Sequence, residues 1–199
     1  MKQHFPVLQY MNVPNFITTL GLFFGIVGIY YLMQFNLRWV LVCLFLAMVM
    51  DVIDGFAAGK LKQQTRFGQQ MDLLNDFFIC CILPVGMVYV FVGDDVLYIG
   101  ALMFYAASGL WRLAHFTLMA AEGQNSGFYT GLPVPGAVLI VCLSVWLVRY
   151  HGLPPWLSAA VLLLTGLLMA SSFKLKKYGM MQKVSWVVGL AFFVVIVAS

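Results

Sequence analysis

Charge is scarce in this chain. Lys and Arg number 11, Asp and Glu number 7, and together they make only 9% of 199 residues, whereas 63% are apolar. A soluble domain carries roughly a quarter charged residues to cover its wet surface, so this composition excludes one. It indicates a polytopic protein solvated by lipid, and no nucleic-acid partner is expected. Histidine is rarer still. His4, His115 and His151 are scattered, which leaves no imidazole-based metal site. The four cysteines, Cys43, Cys80, Cys81 and Cys142, all lie in apolar runs without zinc-ligand spacing and read as packing or lipid-facing residues. No signal-peptide pattern precedes the first apolar run, so residues 1–14 read as a retained cytosolic or interfacial lead-in. The length leaves no room for a separate soluble module.

Long oily runs fill the rest. A membrane span needs about 20 apolar residues at about 1.5 Å each. Segments 15–35, 38–59, 68–92, 96–120, 132–150, 155–173 and 182–198 qualify. The expected fold is an all-α, polytopic transmembrane helix bundle with a seventh, C-terminal span. With the N-terminus inside, Lys2, Lys60, Lys62, Arg66, Arg112, Lys174, Lys176, Lys177 and Lys183 fall on or near the cytosolic face, and only Arg38 and Arg149 fall outside. The positive-inside bias therefore predicts an N-in topology.

Against this background the few acids are informative. Four of the seven, Asp51, Asp54, Asp72 and Asp76, sit in one short stretch. Carboxylates at membrane depth are costly and mark function by default. Asp51, Asp54, Gly55 and Ala58 share one stripe of the second helix, at offsets of three, four and seven. Gly68, Asp72 and Asp76 share a stripe of the third, at offsets of four and eight. Two antiparallel helices with a short link can face these stripes at each other. Four bare carboxylates there would repel. Hard divalent cations remove the conflict, and all-oxygen ligands select Mg²⁺ or Mn²⁺. A pair of such ions clamps phosphoryl oxygens during in-line displacement. Gly55, Ala58 and Gly68 would let a ligand approach the backbone, although small residues in membrane helices also serve helix packing. An ion-coupled transporter is the rival reading of intramembrane aspartates.

At these residues the chain resembles the CDP-alcohol phosphatidyltransferases, whose signature is Asp-x-x-Asp-Gly-x-x-Ala-Arg, eight residues, then Gly-x-x-x-Asp-x-x-x-Asp. Asp51, Asp54, Gly55, Ala58, Gly68, Asp72 and Asp76 match; the signature arginine falls at Gly59. The resemblance implies a six-helix catalytic core opening to the cytosol, a homodimer, and two metals held by the four aspartates. Asp76 would also act as the base for the acceptor hydroxyl. It implies a CDP-linked lipid as electrophile, with CMP leaving. Asn15, Thr18 and Thr65 look like the family's nucleotide contacts. Lys60 and Arg66 are the basic residues nearest the missing arginine, as substitutes for it or as ordinary flank charges.

Two later blocks are similar to the prokaryotic phosphatidylserine synthase branch of that family. They are Gly109-Leu-Trp-Arg112-Leu113-Ala-His-Phe116 and Gly131-Leu132-Pro133-Val-Pro135-Gly136. Met169 to Lys174 is a fainter match, and Thr117 stands where that branch usually has asparagine. The similarity implies CDP-diacylglycerol as donor and serine, or another small alcohol, as acceptor, in a prokaryotic inner membrane. Arg112 lies on an otherwise apolar helix and reads as an anion anchor or a snorkelling flank charge. Pro133 and Pro135 read as the start of a helix. The expected domains are the lead-in 1–14, a catalytic transmembrane domain 15–173, and a basic loop with a last helix over 174–199.

Overall fold

Asn12 opens the first helix, α1 (Val13–Met33). Its side-chain oxygen accepts the Asn15 amide at 2.8 Å, and Pro14 occupies a first-turn position that owes no amide bond. After a turn at Phe35, which takes a positive φ of 53°, Asn36 caps α2 (Leu37–Lys60) through the Trp39 amide. This computed structural model describes residues 9–93, 96–121 and 128–176. The expected seventh span, 182–198, lies outside the described residues.

α1 presents a stripe of small residues, and its neighbours fill the space. Gly21 faces Asn75, Ala47 and Met50; Gly25 faces Phe78; Gly28 faces Leu83 and Cys43. Small residues replace the hydrophobic drive that lipid removes, because they let backbones approach. α1 therefore packs against both α2 and the third span.

The link from α2 to the third span is short. Lys62 takes a positive φ of 53°, and the Gln63 amide returns to the Ala58 carbonyl at 3.0 Å, which closes the end of α2. Thr65 then caps α3 (Arg66–Phe77), its hydroxyl accepting the Gly68 amide at 3.0 Å. The span expected over 68–92 is met by a helical run, Arg66–Phe91, in which α3 passes through a π-turn, Phe78–Ile82, into α4 (Leu83–Phe91). Pro84 supplies the reason: it has no amide hydrogen, and its ring crowds the carbonyl four residues back.

α5 (Val96–Ala121) is followed by α6 (Val134–His151), α7 (Trp156–Ala170) and two three-residue strands, β1 (Phe128–Thr130) and β2 (Lys174–Lys176). The strands pair antiparallel, Phe128 opposite Lys176 and Thr130 opposite Lys174. This small ribbon is an addition to the all-helical expectation. Beside it, Gly131 takes a φ of +74° within a ring of backbone oxygens at the end of α7. The Gly131 amide donates to Phe173 O at 2.7 Å and the Leu132 amide to Leu168 O at 3.0 Å. Pro133 caps α6 and Pro135 sits in its first turn, as the sequence suggests.

The protein is a polytopic helical bundle. Val13–Met33, Leu37–Lys60, Arg66–Phe91 and Val134–His151 are long and apolar enough to cross a membrane; Trp156–Ala170 is apolar but shorter. The last of these falls short of the expected 155–173 because Ser171 turns extended. The core lies where α2, the third span, α5 and α6 meet, around Val40, Cys81, Met87, Tyr105 and Val138, with Leu162 from α7. All four cysteines are buried. Large apolar side chains such as Phe23, Trp111 and Leu164 point outward, which suits a lipid solvent.

Candidate active site

The tight link between α2 and α3 turns their polar stripes toward each other. Carboxyl oxygens of Asp51, Asp72 and Asp76 lie within 4.8 Å of one another, all three residues half-buried. Asp54 has a different setting. It is 5% exposed, lies within electrostatic reach of Asp72, and its Oδ2 is 2.5 Å from the Thr18 hydroxyl on α1. That hydroxyl also lies 3.1 Å from Pro14 O, and it has one proton to donate. The four acids expected to converge are thus a close trio and a fourth that is held by the first helix.

The small residues divide in the same way. A Cβ at Gly55 would meet nothing within 4 Å, and the same is true at Gly59. Gly55 therefore borders open space beside the acids, with Ala58 half-buried next along the stripe. Gly68 is enclosed: a Cβ there would lie 2.8 Å from Asn15 Oδ1 and 3.2 Å from Thr65 Oγ1. Its smallness is used by the protein itself.

Asn15 and Thr65 belong to that same joint. Asn15 is buried, and its Nδ2 donates to Tyr10 O at 2.8 Å. Tyr10 stacks on Phe67 with ring centroids 4.4 Å apart and planes 11° from parallel. The start of α1 is thereby pinned to the start of α3. Lys60 is the last residue of α2, with its ammonium 5.8 Å from the centre of the Phe56 ring. Arg66 is exposed at the first turn of α3. Arg112 is 8% exposed on α5, a helix that packs against α3.

Asn75 is a buried polar residue beside the site that the sequence reading leaves out. It is buried between Asp72 and Asp76 in sequence, and among the described residues neither its Nδ2 nor its Oδ1 has a hydrogen-bond partner. Its Nδ2 comes 3.2 Å from where a Gly21 Cβ would stand. An amide one residue before an acid was the available signal. His115 and His151 are exposed and, among the described residues, join no acidic metal-type cluster; His4 lies outside the described residues.

Among the described residues, the aspartate trio is the one group placed to share a cation. Its donors are all carboxylate oxygens, which fits a hard divalent ion better than zinc or copper. Residues 11–172 match the family model for CDP-alcohol phosphatidyltransferase. The chain belongs to this family of transferases. It is similar to a CDP-diacylglycerol–serine O-phosphatidyltransferase of Methanocaldococcus jannaschii, 27% identical over 87% of this chain and 78% of the relative. An archaetidylserine synthase of Methanothermobacter thermautotrophicus is likewise 27% identical, over 84% of this chain and 71% of its own length. A CDP-diacylglycerol–glycerol-3-phosphate 3-phosphatidyltransferase of Aquifex aeolicus is 38% identical over 33% of this chain and 37% of its own.

Proposed function

We propose that this protein transfers a phosphatidyl group from CDP-diacylglycerol to the hydroxyl of serine, releasing CMP and phosphatidylserine. The supporting observation is the mutual approach of Asp51, Asp72 and Asp76 on facing helices. Serine as acceptor is supported by the names of relatives that match most of the chain, the Methanocaldococcus and Methanothermobacter proteins among them.

Asp51, Asp54, Asp72 and Asp76 would hold two divalent cations, Mg²⁺ or Mn²⁺, which would supply positive charge for the phosphoryl transfer. Asp76 takes the proton of the serine hydroxyl. The serine oxygen bonds to the lipid-side phosphorus, the bond from that phosphorus to the bridging oxygen breaks, and the electron pair leaves with CMP. Thr18 keeps the Asp54 carboxylate aimed. Gly55 and Ala58 leave room for the nucleotide to lie against α2. Asn15, Thr65 and Gly68 set the joint that holds α3 in place beside it. Lys60 and Arg66 supply positive charge where Gly59 supplies none, and Arg112 is an anion anchor within the bundle.

The catalytic domain is 15–173, in a homodimer, with the acidic site and the N-terminus on the cytosolic side of a prokaryotic inner membrane. The basic residues that flank the site support this orientation.

The test is purified protein supplied with CDP-diacylglycerol, Mg²⁺ or Mn²⁺, and a panel of serine, glycerol 3-phosphate, inositol phosphate and choline. Serine-stimulated CMP release with formation of phosphatidylserine is expected. Stimulation by glycerol 3-phosphate instead would move the protein to the acceptor in the Aquifex relative's name. No CMP release with any alcohol would overturn the enzymatic reading. Asp76→Asn is expected to lower turnover by about 10²–10⁴-fold, the usual worth of a general base, and to leave the bundle folded.

A further inference from the structure

Pro84 takes one amide hydrogen out of the third span. In an unbroken α-helix the amide of residue 84 would serve Cys80 O, and proline has no amide hydrogen. The backbone widens instead. Phe78–Ile82 winds as a π-turn, and the Leu83 amide reaches back five residues to Phe78 O. Cys80 is 2% exposed, so water does not take the missing place. Tyr105 of α5 does: its hydroxyl donates to Cys80 O at 3.0 Å. Tyr105 itself has 0% exposure, so both ring and hydroxyl are fixed inside the core. One turn further along α5, Gly109 packs against the Cys81 sulfur with no room for a Cβ. α5 thus grips the π-turn at two successive residues.

The turn's position gives this grip a consequence. Cys80 follows Asp76 by four residues, one turn along the same face. The acids Asp72 and Asp76 ride on α3, which ends where the π-turn begins. Any rewinding of the turn rotates α3 about its axis and moves Asp76 relative to Asp51. We propose that Tyr105 is a positioning residue for Asp76, its hydroxyl holding the π-turn one helical turn below that carboxylate. This rests on the reading of Asp76 as the base.

The experiment uses the full chain in lipid nanodiscs and compares wild type with Tyr105→Phe, Pro84→Ala, the double variant and Asp76→Asn. Two quantities are read: amide hydrogen exchange across residues 77–88 in the absence of substrate, and CMP release over a range of pH and CDP-diacylglycerol concentration. Tyr105→Phe is expected to speed exchange in that segment. It is expected to lower kcat about tenfold, with KM for CDP-diacylglycerol within about twofold and the pH profile of kcat displaced, as follows from a misplaced reacting group. Pro84→Ala lets the turn rewind to an α-helix, in which the restored amide serves Cys80 O, so adding Tyr105→Phe to it is expected to cost nothing further. Unchanged exchange in Tyr105→Phe overturns the clamp. Faster exchange with wild-type kcat and pH profile reduces the hydroxyl to a structural bond and overturns its link to Asp76. If Tyr105→Phe alone does not fold, the comparison of Pro84→Ala with the double variant decides: equal kcat supports the proposal and a further fall overturns it. Wild-type turnover in Asp76→Asn would remove the base reading, and hydrogen exchange would then judge the clamp by itself.

Discussion

The Thr18 hydroxyl lies 2.5 Å from Asp54 Oδ2 and ties α1, a helix with no acid of its own, into the acidic site. A hydrogen bond to a charged group is worth about 1.5–3 kcal/mol, or roughly ten- to hundredfold in rate if it acts in the transition state. Thr18→Val keeps the shape and removes the donor. It is expected to lower kcat/KM within that range and to raise the Mg²⁺ concentration needed for half-maximal CMP release, whereas Thr18→Ser stays near wild type. Equal Mg²⁺ titrations for Val and Thr would show that Asp54 needs no such help.

Gly55 and Gly68 are both signature glycines, but they differ in what surrounds them. Gly55→Ala meets nothing within 4 Å, so the melting temperature is expected to hold or rise slightly, since alanine is the better helix former by about 1 kcal/mol. Activity is expected to fall as the methyl enters the space left for substrate. Gly68→Ala would press on Asn15 Oδ1 at 2.8 Å and is expected to lower the melting temperature as well. Parallel thermal melts and CMP assays on the two variants separate a ligand-facing glycine from a packing one.

Gly59 stands in open space at the end of α2, so an arginine fits there without repacking. Gly59→Arg is expected to maintain or raise CMP release, by up to about tenfold if the guanidinium reaches a phosphoryl oxygen in a charge-assisted bond. A large fall in kcat/KM would mean that this space serves the substrate in some other way.

Gly131 combines a φ of +74° with three backbone oxygens, of Ser171, Met169 and Leu168, between 2.8 and 3.1 Å from the position of an added Cβ. Carbonyl oxygens of a helix end cannot step aside as a flexible side chain can. Gly131→Ala is expected to destabilise the bundle by about 2 kcal/mol or more, a fall of roughly 5 °C in melting temperature for a chain of this size. A melt that coincides with wild type would show that the end of α7 can move.

Much of this was legible because lipid imposes a simple grammar. The apolar runs 38–59 and 96–120 match α2 and α5 to within one residue at each end, since a helix must satisfy its own backbone inside a bilayer. The facing of Asp51 to Asp72 and Asp76 follows from helical offsets and a short link. Other features needed side-chain positions. Gly55 and Gly68 look alike in the motif, and only packing distinguishes them. Asn15 and Thr18 resemble nucleotide contacts, and their bonds to Tyr10 O and Asp54 could be read only from the structure. The π-turn had a signal in Pro84, but placing the hydroxyl that accompanies it required knowing that α5 lies alongside. The ribbon had none, because three residues are too few to show a strand's alternation.

The pairing of Phe128–Thr130 with Lys174–Lys176 joins two chain segments that lie on either side of α6 and α7. It cannot form until both of those helices have been synthesised and have come back alongside α5, so this seam closes late in biogenesis. Contacts so distant in sequence form slowly because a large loop must be brought together first. A chain halted before Lys176 would lack this stitch.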